Sequence, residues 1–381
     1  MIKVNCFNYR KGEAGFSLIE LMIAMALGLV LLLGITTVVV NSSRSYTELT
    51  KASQRIENGR YAMDVLANDI RHAGFYGQYP NDSSTIPTTL PNPCATTMVS
   101  MRDAMSLPVQ GYDFAIDESP AVTPSPLSTC ISDRQPGTDV LVIRRVSTEA
   151  VPVNPTNPAA VPTLQPNRVY LQATAISKSI AIYTEFASMS ASDRLKAGRF
   201  GLGGGGATFF DLKRPQPVSP FTPIPLPIYP FEVNIYFVRS WSATAGDGIP
   251  TLCRAELTAG TAGATITTVP LVEGVENLQF EYGIDSDPSG MGYGEVDPRT
   301  PGGTDYYVTN PASAKEWSDV MVVRLYLLVR SLETTLGYSD SNKVYDLGVA
   351  GTVTGSGSFK RHVFNTVVRL NNSSMRREKV L

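Results

Sequence analysis

Glu20 follows Gly15-Phe16-Ser17-Leu18-Ile19 just inside an apolar run, and no charged residue lies between Leu21 and Ser43. An acid costs roughly 2.5–3.5 kcal/mol at the centre of a membrane helix and less near its edge, so it persists there with a partner or a purpose. No basic residue lies inside the run. A cut between Gly15 and Phe16 would create an α-ammonium one helical turn before Glu20 and supply the missing cation. The chemistry within reach of this motif is ion pairing at a processed terminus.

Elsewhere the chain offers few reactive constellations. Its two histidines, His72 and His362, fall at an expected helix end and in an expected terminal strand, and no nucleophile elbow accompanies either. Both read as surface or capping residues, while carboxylates such as Asp64 and Asp69 read as a solvated face. The stretch from Asp285 to Asp297 opens like a calcium loop, with Asp285, Asp287, Ser289 and Gly290 at the first, third, fifth and sixth positions. Val296 takes the twelfth position, where a bidentate acid belongs, so a solvated Asp/Gly turn is the favoured reading and calcium the lesser one. No cysteine and histidine spacing suggests zinc. The expectation is a chain that is no enzyme and needs no cofactor.

The elements that must position Glu20 are clearer. Roughly 20 apolar residues at 1.5 Å rise cross a hydrocarbon core, and Leu21 to Val40 supplies that length. Secretory signals carry about 7–15 apolar residues before a small-residue cleavage site, so this run reads as an anchor. Lys3, Arg10 and Lys11 favour a cytoplasmic start, although Arg44, Lys51 and Arg55 weaken the charge asymmetry, and put the body on the periplasmic or extracellular side. Beyond the run there is no proline until Pro80, and Leu49, Ile56, Met63 and Ile70 recur every seven residues with Ala52, Gly59 and Leu66 between them. This predicts one helix reaching about His72, stopped near Gly74, and roughly 85 Å long. Small Ala52 and Gly59 favour packing of its outer stripe on a sheet. Arg55, Glu57, Arg60, Asp64, Asp69 and Arg71 are then left to water or neighbouring subunits. Gly28, Gly34, Thr36 and Thr37 either permit close helix approach or are ordinary membrane-helix composition.

Downstream, β-branched and aromatic residues mark strands at Val140–Val146, Arg168–Leu171, Ile180–Tyr183, Phe231–Val238, Val320–Val329 and Val363–Leu370, the last ending the sheet. Segments Val151–Pro166, Pro215–Pro230 and Gly203–Gly206 read as surface loops. Cys253 falls in strand-like sequence and reads as a small buried apolar residue.

The residues Gly15-Phe16-Ser17-Leu18-Ile19-Glu20 ahead of an apolar helix resemble the class III signal of type IV prepilins and pseudopilins. Gly59–Phe75, Leu271–Phe280, Trp317–Ser331 and Val363–Asn371 are similar to the PilW-type minor pilins, which are related to the pseudopilin GspJ. Residues 81–136 and 151–230 fall outside this resemblance. So does the proline seen within the membrane helix of many major pilins, where this chain has Thr36 and Thr37. The resemblance implies an α+β, type IV pilin-like fold, with a long N-terminal helix, transmembrane and then amphipathic, on a C-terminal antiparallel β-rich domain with long loops. In that scheme residues 1–15 are a leader, 16–43 the membrane and assembly helix, 44–75 its amphipathic half, and 76–381 the periplasmic domain. Gly15 becomes the cleavage residue of a prepilin peptidase, Phe16 the methylated terminus, and Glu20 the acid that registers subunits.

The leader would keep Cys6 in the cytoplasm. In an oxidising compartment Cys94 and Cys130 are then the preferred pair, since both lie in loop-like sequence, though sequence leaves the connectivity open. The leader holds three basic residues and one acid, so its removal takes the formal charge from −2 to −4, a balance that argues against general nucleic-acid binding. By resemblance, the partners are the peptidase, other minor pilins, the major pilin, the inner-membrane assembly platform and a tip adhesin. The role is a priming or tip complex in the inner membrane and then in the fibre, serving adhesion, twitching motility or DNA uptake. A GspJ-like subunit of a type II secretion system and a membrane-anchored periplasmic hydrolase are the alternatives.

Overall fold

The computed structural model describes residues 15–77, 79, 86–151, 164–173, 199–202, 213–214, 224–286, 296 and 307–377. Its first element is α1, Leu18–His72. The helix ends where Gly74 takes a φ of +73°, a left-handed conformation that glycine enters without strain. Two compact units divide the chain, Met1–Ser53 and Gln54–Leu381. In the first, the apolar side chains of α1 are exposed, Leu29 at 62% and Leu33 at 66% among them. The hydroxyls of Thr36 and Thr37 donate back to the carbonyls of Leu32 and Gly34, both at 2.7 Å, so the helix satisfies these polar groups internally.

In the second unit α1 presents Ala62, Met63, Leu66, Ala67 and Ile70, all buried, at the three- and four-residue spacing of one helical face. Among the described residues, seven strands form one antiparallel sheet. Its path runs β1 (Val109–Tyr112), β2 (Val140–Val146), β7 (Ile228–Arg239), β3 (Val169–Gln172) and β4 (Arg199–Leu202), with β8 (Thr251–Ala259) on β7 and β9 (Ala264–Glu273) on β8. A second sheet runs β11 (Tyr307–Val308), β10 (Val275–Ile284), β12 (Val320–Arg330) and β15 (Arg361–Arg369). The chain passes from the first sheet to the second through the single residue Gly274. Two short pairs are added, β5 (Lys213–Arg214) with β6 (Ile224–Pro225) and β13 (Val344–Asp346) with β14 (Thr352–Thr354). Among the described residues there are three further α-helices: α2 (Met98–Asp103), α3 (Ala314–Ser318) and α4 (Asn371–Arg377).

Strand periodicity sorts the core. Leu141 and Ile143 of β2 join the α1 face, together with Phe280, Tyr282, Val323 and Leu325 of the second sheet. Val140, Val142 and Val146 point the other way, into a cluster with Met101, Met105, Leu127 and Ile131. On β15 the Phe364 ring lies so close to Gly59 that a Cβ there would overlap it.

A polar clamp crosses the first of these faces. Asp69 of α1 accepts from Arg145 of β2 through Oδ1, and from Asn234 Nδ2 at 2.8 Å and the Tyr236 hydroxyl at 2.9 Å through Oδ2. Arg145 also pairs with Glu232 at 2.7 Å. Burial, reinforced by the Asp69 charge, raises the Tyr236 phenol above its ordinary range and keeps it a donor.

Several expectations need correction. Asp69 is buried rather than solvated, because it completes this clamp, whereas Asp64 is exposed as expected. The α1 stripe is covered from Gly59 onward, but Leu49 and Ile56 remain 70% and 40% exposed. Arg55 is half-buried rather than turned to water. Pro215–Pro230 is no uniform surface loop: Leu226 and Ile228 are buried, and Ile228–Pro230 opens β7 by pairing with β3. The Ile180–Tyr183 strand, the Gly203–Gly206 run and most of Val151–Pro166 lie outside the described residues.

Removing one partner of a buried, hydrogen-bonded charge strands the others. Asp69→Ala is expected to destabilise the detergent-solubilised protein by about 3 kcal/mol, read by urea unfolding; a loss under about 0.5 kcal/mol would show that the clamp contributes little.

Candidate processing and assembly site

The head of α1 is built by two side chains. Leu21 N donates to Ser17 O at 3.2 Å, which makes Ser17 the first residue to accept a helical hydrogen bond. Ser17 Oγ accepts from Glu20 N at 3.3 Å, while Glu20 Oε2 accepts from Ser17 N at 3.0 Å. This reciprocal pair is a capping box, which satisfies two orphan amides of a helix start, and the carboxylate also faces the positive end of the helix dipole. Glu20 is therefore folded back over the helix terminus, toward Phe16. Gly15 and Phe16 precede the helix and are exposed, Phe16 at 88%. The bond between them is accessible, and a cation formed on Phe16 would arise one residue from the amide that already holds Glu20.

The Ser-x-x-Glu spacing that builds this box is legible in the sequence, although charge alone points to Glu20 and not to Ser17.

Residues 10–36, which enclose Gly15, Phe16 and Glu20, match the model of the prokaryotic N-terminal methylation motif, and residues 235–372 match the model described as type IV pilus-assembly protein W, PilW. The chain carries a PilW-type domain behind an N-terminal methylation motif. The two matches together are consistent with a PilW-type minor pilin and with a type IV pilus assembly context. No curated protein and no solved structure matches the chain.

The PilW-type match begins within β7 and takes in the whole second sheet. At the edge of that sheet, Arg361 of β15 reaches Asp340 at 2.7 Å and Glu276 of β10. Asp340 also accepts from the hydroxyls of Tyr338, at 2.5 Å, and Tyr345, at 3.0 Å. Burial alone would raise the Asp340 carboxyl, but the Tyr338, Arg361 and Tyr345 donors outweigh it and hold the group below its ordinary range. Its contribution to stability is then present above the unfolded value, about 3.9, and lost as pH falls through the lower folded one.

Neither match covers residues 37–234. Within that stretch Cys94 and Cys130 form a disulfide with a Cα–Cα distance of 5.6 Å, and Leu127, between them in sequence, is fully buried beside Met101 and Met105. Cys253 is free and buried on β8, and burial pushes its thiol up to about 11, which keeps it protonated and unreactive.

The remaining candidates are dispersed. His72 Nδ1 lies 2.8 Å from Asn68 O on its own helix, and His362 packs edge-on against Phe364 with ring centroids 4.7 Å apart. Among the described residues no group of three or more His, Cys, Asp and Glu side chains is placed to hold a metal. Most of the proposed calcium stretch, Asp287 to Glu295 and Asp297, lies outside the described residues; Asp285 is buried and its amide donates to Asp319 O at 2.9 Å.

Two outcomes follow. Replacing both Cys94 and Cys130 by serine should lower stability by about 4 kcal/mol, given the loop they close, with a corresponding drop in melting temperature; an unchanged melt would remove the disulfide's structural role. Asp340→Asn should flatten the loss of stability below about pH 4, measured as thermal melting against pH; an unaltered acid limb would exclude Asp340 as its source.

Proposed function

We propose that this protein is a minor subunit of a type IV pilus. A prepilin peptidase removes residues 1–15 on the cytoplasmic side, Phe16 becomes the methylated terminus, and the apolar helix stays on the mature chain and carries it from the inner membrane into a fibre. The observation that carries this reading is the methylation-motif match falling on an exposed, non-helical Gly15–Phe16 bond directly ahead of a long uncharged helix. The PilW-type match adds assembly as the context.

In this reading Glu20 pairs with the Phe16 ammonium of a neighbouring subunit. Within one subunit the two groups are four residues apart, and between subunits they meet only at a defined axial stagger. Pairing therefore converts a costly charge into a register signal. The subunit works without catalysis or cofactor in a priming or tip complex with other minor pilins, on which the assembly platform polymerises the major pilin. Its β-rich body lies in the periplasm before export, since Lys3, Arg10 and Lys11 hold the start of the chain in the cytoplasm. The pseudopilin of a type II secretion system would use the same residues, and the description of the matched family favours the pilus.

Mass spectrometry of the mature protein tests the reading. The N-terminus is expected at methylated Phe16 with residues 16–43 retained. Retention of Met1, or loss of the apolar segment, would contradict it.

A further inference from the structure

Ser17 does more than start a helix. Resting on the processing step proposed above, we infer that Ser17 is a positioning residue for leader removal: its capping box starts α1 two residues past the Gly15–Phe16 bond and so keeps that bond outside the helix for the peptidase. Hydrolysis adds water across this bond, leaving a carboxylate on Gly15 and an ammonium on Phe16. A peptidase must reach the carbonyl carbon of Gly15 and the nitrogen of Phe16, and helical hydrogen bonding of this peptide would turn both inward against the first turn.

Three observations carry the inference. Leu18 is the first helical residue, and Gly15, Phe16 and Ser17 are outside the helix. Both bonds of the box are formed, from Glu20 N to Ser17 Oγ and from Ser17 N to Glu20 Oε2, at 3.3 and 3.0 Å. Phe16 is 88% exposed, so the residue after the scissile bond is held by no packing of its own and the cap is what fixes where the helix begins. Alanine at this position has the highest helix propensity and no capping oxygen, so it frees the helix to grow backward through Phe16 and Gly15.

The same box explains why processing and charge are neighbours. Glu20 is turned back to hold Ser17 N, which places the carboxylate beside the nitrogen that hydrolysis will charge.

The test is pulse-chase cleavage of the full-length precursor in membranes that contain a prepilin peptidase, with Ser17→Ala, Ser17→Thr and Ser17→Asn. Backbone carbon chemical shifts of Gly15 and Phe16 are read for the same chains in micelles. Ser17→Ala should slow leader removal roughly fivefold, the factor of a typical lost cap, and move the Gly15 and Phe16 shifts toward helix. Threonine and asparagine, which also cap, should restore both readouts to near wild type. Wild-type cleavage of Ser17→Ala would overturn the inference. So would slow cleavage of all three variants with unmoved shifts, because the peptidase would then be reading the serine itself. An uncleaved wild-type precursor would overturn the processing step and the inference with it.

Discussion

An acid costs about 2.5–3.5 kcal/mol at the centre of a membrane helix and less near its edge, and Glu20, at that edge, is the one charged residue between Phe16 and Ser43. Every other feature at the head of the chain can be understood as managing that carboxylate. Ser17 takes it first, by offering an amide to Oε2 and receiving the Glu20 amide in return. That arrangement satisfies the helix terminus but leaves the charge in place. In the proposed function a cation on Phe16 would pair with that charge, and it would exist only after the chain is cut. Processing would thus change the electrostatics of a helix head without altering any side chain, and would give the uncharged run behind it a partner-dependent reason to leave lipid.

The second unit solves a different problem with the same chemistry. A helix on a sheet rotates by about 100° for each residue of slip, so a single buried carboxylate can fix its register. Asp69 does this by meeting Arg145, Asn234 and Tyr236 from two adjacent strands at once. Its lone pairs are used by three donors, and Arg145 is shared with Glu232, so the buried charges are paired and hydrogen-bonded rather than stranded. Nearby, Phe364 against Gly59 sets how closely β15 can approach the helix. The far edge of the second sheet repeats the pattern, with Arg361 held between Asp340 and Glu276.

Regular hydrophobic spacing made much of this legible in the sequence. The end of α1 at His72 and the strands at Val140–Val146, Phe231–Val238 and Val320–Val329 followed from apolar periodicity and β-branched content, and they sit within one residue to a few residues of their observed bounds. Cys253 was readable as buried because its neighbours alternate as a strand does. What escaped were residues whose roles depend on distant partners. Asp69 occupies a polar position on a helical wheel, and nothing local distinguishes it from Asp64; only Arg145, 76 residues on, makes burial affordable. Ile228–Pro230 was hidden by prolines that suit a strand end as well as a loop. Leu49 and Ile56 fit the heptad but are uncovered, since apolar spacing states that a face needs cover and not where the cover comes from. Ser17 is the reverse case, local and legible as the first residue of a Ser-x-x-Glu box, with a role that charge alone does not mark.

In the proposed function the charge of Glu20, beyond its capping bond, directs the subunit into the fibre. Glutamine at this position keeps an oxygen for Ser17 N and removes the charge, so Glu20→Gln isolates the one property at issue. The measurement is the ratio of mature subunit in sheared fibres to mature subunit in membranes, by quantitative mass spectrometry in cells lacking the wild-type copy. The variant should be present in membranes at normal abundance and largely absent from fibres. Equal ratios for variant and wild type would contradict it.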